Sequence, residues 1–138
     1  MMLSGEQIFR SMMAEYALIV AGKSDEEAPM QYAKCDLKGI FGVLLNEELG
    51  VMCSKIAGYI DSVEERTVDG GGTAIVLRLS ADAPAVNDKL IRRRMEDYLV
   101  ASTLLRCLLP VRSTQSEYQM LVSRARLSMR SLRQLLAR

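Results

Sequence analysis

Apolar positions recur at helical spacing through most of this chain and at strand spacing in one short stretch, and that change of period lays out the elements. Ile8, Phe9, Met12, Met13, Tyr16, Ala17 and Val20 follow one another at steps of three and four, which predicts a first helix ending near Gly22. Ser4 followed by Gln7 has capping-box spacing at its start. Lys23 to Pro29 is polar and acidic with a proline at its end, and reads as a solvated loop. Between Met30 and Ile60 the apolar rhythm returns, but Gly39, Gly42, Gly50 and Gly58 interrupt it. Each glycine weakens a helix by about 1 kcal/mol relative to alanine, so the expectation is two helices broken near Gly50.

The period changes at Ser62 to Ser80. Val63 to Val68 interleaves polar residues, Asp69-Gly70-Gly71-Gly72 is a turn, and Ala74 to Leu79 is rich in β-branched and apolar residues. Together they predict a β-hairpin. Two strands alone are marginal in water, so this hairpin must lie on the helices or pair with strands of another subunit. Beyond Asp82 and Pro84, which suit a helix start, Leu90, Ile91, Met95, Tyr98, Leu99, Leu105 and Leu109 resume the helical period and stop at Pro110. Thr114 and Glu117 form a second capping-box pair ahead of Tyr118, Leu121, Val122, Ala125, Met129, Leu132 and Leu136. The predicted class is α+β, mainly α: a helical bundle with a long C-terminal αα-hairpin and one small β-hairpin. A single domain spans 1–138, with a helical acidic half at 1–60, the hairpin at 62–80 and the basic αα-hairpin at 84–138.

Charge changes the picture more than composition does. The net charge of +1 conceals seven basic against thirteen acidic residues up to Asp82 and eleven basic against four acidic from Ala83 onward. Such sorting points to a charged partner or to another copy of the chain. The chain has 138 residues, 49% hydrophobic and 25% charged, which suits a globular protein with one core. No segment approaches the roughly 18 to 20 apolar residues that span a bilayer, and Glu6, Arg10 and Glu15 break up the N-terminus where a secretory signal would carry its apolar block. The expected location is cytoplasmic, or in a particle assembled inside the cell. With no tryptophan and nine methionines, aliphatic and thioether side chains fill the core.

The chain has no histidine, which removes the commonest general base near neutral pH and the most frequent transition-metal ligand. Cys35, Cys53 and Cys107 are odd in number and sit among apolar neighbours, as buried reduced thiols do. The glycines at 70–72 lack a following GK[ST] and lead into a strand, so they form a turn and no phosphate loop. The acidic pairs Glu26-Glu27, Glu47-Glu48 and Glu64-Glu65 read as solvated surface, and no serine has a nucleophile's surroundings. No enzyme, no cofactor, no metal site and no small-molecule substrate is expected.

Two basic clusters remain. Arg126, Arg130 and Arg133, flanked by Arg124 and Arg138, fall on one face of the last helix, opposite the Val122, Ala125, Met129 and Leu136 stripe. That face reads first as a solvated surface or a partner for the acidic half of the same molecule, then as a site for an acidic protein, and last for phosphates, since only Tyr118 offers a ring for stacking bases. Arg92-Arg93-Arg94 fan out around a helix, with Arg92–Glu96 and Arg93–Asp97 at the spacing of helix ion pairs. The expected function is a non-enzymatic structural or assembly protein forming homo-oligomers, as a ring or head to tail. Its contacts would be the arginine patch and the hairpin residues Ile75, Val76, Leu77 and Leu79. Small phage neck, connector and tail-completion proteins share this style of long helices plus an exchanging β element, an analogy of architecture alone. The alternative is a nucleic-acid-associated or regulatory helical module, and a third reading is an adaptor docking on an acidic protein.

Overall fold

The computed structural model describes residues 1–20, 37–67, 73–79, 88–108 and 115–137. A three-residue strand β1 (Met2–Ser4) leads directly into helix α1 (Gly5–Val20). Ser4 Oγ accepts the backbone N–H of Gln7 at 3.2 Å, half of the capping box that the sequence predicts. Ile8, Met12 and Tyr16 then turn one stripe inward, and all three are buried.

Helix α2 (Leu37–Lys55) runs unbroken where two helices are expected. Gly42 and Gly50 lie inside it with no described residue near their missing Cβ atoms, so both sit on its open side. Leu45, Leu49, Met52 and Ile56 line the other side at steps of four and three, and all are buried. Burying each such side chain is worth about 1.5–3 kcal/mol, which outweighs the ~1 kcal/mol that a glycine costs. The helix yields only after Lys55, through a short 3-10 turn at Ala57–Tyr59. Gly50→Ala therefore stabilises the fold by up to ~1 kcal/mol in urea denaturation; a loss of stability would mean that this face is covered.

Strands β2 (Ile60–Thr67) and β3 (Thr73–Leu79) pair antiparallel as the predicted hairpin, and the turn residues 68–72 fall outside the described residues. The register slips between Ile60 and Ser62, so that Asp61 is bulged. The sheet order is β1-β3-β2. Met2, Leu3 and Ser4 pair with Val76, Ile75 and Ala74, and Met1 exchanges two further backbone hydrogen bonds with Leu77, at 2.9 and 2.7 Å. The hairpin thus gains a third strand from its own chain and rests on the helices. A three-residue strand is too short to show alternation, which is why the sequence pattern does not announce β1.

Helix α3 (Asp88–Leu108) is the spine of the molecule, and α4 (Gln115–Leu136) packs back along it as the predicted αα-hairpin. Its Ile91, Met95, Leu99, Ala101 and Leu104 are almost wholly buried. α3 touches α1, α2 and β1 as well as α4, and one core joins Leu3, Ile75 and Leu77 of the sheet to Met52, Leu99 and Leu132 of the helices. The predicted cap at Thr114 and the stop at Pro110 lie outside the described residues. No described helix is long and apolar enough to cross a membrane.

Candidate anion-binding groove

The arginines of α4 stand beside its apolar stripe, a correction to the expectation that they lie opposite it. At 100° per residue Arg126 and Arg133 lie about 40–100° from Ala125, Met129 and Leu136, whereas Arg130 is about 100° from Met129 and about 120–140° from the other two. That offset lets the guanidinium groups overhang the seam between α4 and its neighbours. The result is an open groove of about 460 Å³, in which Arg126, Arg130 and Arg133 share the lining with Lys55 from the end of α2 and with Tyr98 and Ser102 from α3. Ala125 and Met129 give it an apolar floor, and Gln134 also reaches it. The described lining holds four cations and no carboxylate. Among the described residues, none of the three arginines forms an ion pair.

Several contacts hold one end of this groove. The Lys55 ammonium sits over the Tyr98 ring, 5.5 Å from its centroid. Arg133 Nη2 donates to the Lys55 carbonyl at 3.5 Å, near the negative end of α2. Tyr98 is only 4% exposed, so its ring supports Lys55 and is no platform for a base. Ser102, one turn further along α3, is 5% exposed and still lines the groove.

Arg124 departs from the predicted patch. It forms an ion pair with Glu15 of α1 and lies 3.7 Å from Asp97 of α3, clamping three helices together. Asp97 also lies 3.7 Å from Arg94, so it turns to Arg94 and Arg124 where a pair with Arg93 is expected. Glu96 stays near Arg92: burial raises its carboxyl above the ordinary range, and Arg92 draws it back. Arg106 pairs with Glu47 and, at 3.8 Å, with Glu48 of α2. Burial likewise raises Glu48, against the opposing pull of Arg106 and Lys55. The charge-sorted halves are thus joined within one chain through Arg106 and Arg124, whereas the groove arginines have no such partner among the described residues. Arg138 lies outside the described residues.

The hairpin positions divide in two. Ile75 and Leu77 are 2% and 0% exposed and belong to the core, so as a contact surface they are corrected; Val76 and Leu79 are half-buried. β3 is also the middle strand, with both of its edges taken. Among the described residues the outer strands of the sheet are β1 and β2, and on β2 Asp61 and Glu64 place charges of the kind that blunt edge-to-edge pairing.

Cys53 is a free thiol but only half-buried, where a buried one is expected; desolvation pushes its pKa up and makes it a weak nucleophile. Cys35 and the side chain of Cys107 are outside the described set. Among the described residues, no group of three or more His, Cys, Asp and Glu is placed to hold a metal ion. A second recess, of about 670 Å³, runs along α4 past Met120, Ser123 and Leu127, but its cations Arg94 and Arg124 are already tied to Asp97. The place of Lys55, Tyr98 and Ser102 beside the arginines was not legible in the sequence, because they lie on two other helices and no local spacing connects them to α4. Comparison with protein-family models, with curated proteins and with solved structures finds no match to this chain.

Proposed function

We propose that this chain is a non-enzymatic adaptor or assembly module that docks an acidic polypeptide segment in the groove between α2, α3 and α4. The observation that carries the reading is the arginine trio, which shares one open groove with Lys55 and meets no carboxylate among the described lining residues. An apolar floor under a cationic rim suits an acidic segment that also carries aliphatic side chains. Nucleic acid is less well served, because the groove offers phosphate contacts without an exposed ring to stack a base.

Self-assembly into a ring or head-to-tail array, as in a structural component of a particle, is the second reading. Its support is the exposed pair Met120 and Leu127, 60% and 63% accessible on the outer face of α4. Labelled poly-L-glutamate, titrated into the protein at low and high salt with native mass read by light scattering, separates the two readings. Docking predicts a complex that salt dissolves and a single-chain mass without the polyanion. A salt-resistant multimer with no affinity for the polyanion would replace it with self-assembly.

A further inference from the structure

We infer that the groove is a reader of phosphate monoesters, taking a phosphoserine or phosphothreonine within the acidic segment that it docks; the inference rests on the docking reading above. Arg126 and Arg130 are four residues apart and Arg130 and Arg133 three, so successive guanidinium groups rise along α4 by about 6 and 4.5 Å. Each offers a planar fork of donors, the geometry that grips phosphate oxygens two at a time. Lys55 adds a point charge from the opposite wall. Arg133 and Lys55 are already held at one end by the carbonyl contact and the Tyr98 ring, which leaves Arg126 and Arg130 to close on a ligand.

The independent observation is Ser102. It is 95% buried and lines the groove. A hydroxyl in the lining of a cationic groove is one more donor for an acceptor oxygen that reaches down to it. A phosphate monoester supplies three acceptor oxygens and nearly two negative charges on one short stalk. A glutamate offers two oxygens and one charge. A phosphodiester backbone carries one charge per phosphate and runs across a groove without ending in it.

Fluorescence anisotropy tests this with a labelled acidic peptide carrying one phosphoserine, the same peptide with glutamate in its place, and an oligothymidylate. The phosphopeptide is expected to bind about tenfold more tightly than the glutamate peptide, and to lose that advantage below about pH 6 as the phosphate takes up its second proton. Ser102→Ala weakens phosphopeptide binding about fivefold, as for one lost hydrogen bond, and changes the glutamate peptide by less than about twofold. Arg126→Lys with Arg130→Lys keeps the charge but loses the forks, and weakens the phosphopeptide by about tenfold, which keeps the test decisive if Ser102→Ala disturbs α3. Equal affinity for the two peptides overturns the phosphate inference and leaves acidic docking standing. Binding of neither peptide overturns both. Preference for the oligothymidylate, lost in the double lysine variant, overturns both in favour of nucleic acid.

Discussion

Leu77→Lys leaves the chain unfolded at room temperature, whereas Val76→Lys, one residue earlier on the same strand, folds with nearly the parent's stability. Leu77 is fully buried, sits opposite Val63 in the ladder, and exchanges backbone hydrogen bonds with Met1. Truncating such a side chain to alanine costs about 2–5 kcal/mol, and an unpaired ammonium in its place adds the desolvation of a charge. Against the roughly 5–15 kcal/mol that holds a domain together, that sum is decisive. Val76 points to the other face of the sheet, between Met2 and Glu64, where a lysine finds an opposite charge across the strands. Circular dichroism followed through a urea titration distinguishes the two variants. Equal tolerance of both would mean that β3 is not the buried middle strand, and would return the hairpin to the role of an exposed contact.

Reversing the groove's charge, with Arg126→Glu, Arg130→Glu and Arg133→Glu together, abolishes binding of labelled poly-L-glutamate, a loss of at least about a hundredfold at low salt. Three reversals change the groove by six unit charges, and even ~1 kcal/mol for each altered site accumulates to more than a hundredfold. Stability moves little, because all three side chains are exposed and none is ion-paired among the described residues. Arg124→Ala is the mirror image. It opens the clamp to Glu15 and Asp97 and lowers the midpoint of unfolding, yet leaves poly-L-glutamate affinity within about twofold. Thermal melting and anisotropy on the two proteins read both quantities. If Arg124→Ala weakens binding as much as the triple reversal does, the recess beside Met120 and Leu127, not the Lys55 groove, is the working surface.

The sequence by itself determined the elements whose signals are local. The three-and-four rhythm from Ile8, the Ser4–Gln7 cap, the β-branched run at 74–79 and the paired stripes of the last two helices each lie within one or two turns of chain, and each appears in the structure. The same local reading broke α2 at Gly50, because propensity counts the cost of a glycine and cannot see that Leu45, Leu49, Met52 and Ile56 are buried on the far side. It set the arginines opposite the apolar stripe when Arg126 and Arg133, within about 100° of it at 100° per residue, stand at its border and Arg130 lies further round. Only the tertiary structure decided that β1 closes the free edge of β3, that Arg124 and Arg106 are spent on the acidic helices, and that Lys55, Tyr98 and Ser102 face the arginines across one groove. The physical reason is range: periodicity and capping act between residues a few positions apart, whereas strand partners, ion pairs between helices and the walls of a groove come from segments whose meeting is set by the shared core around α3.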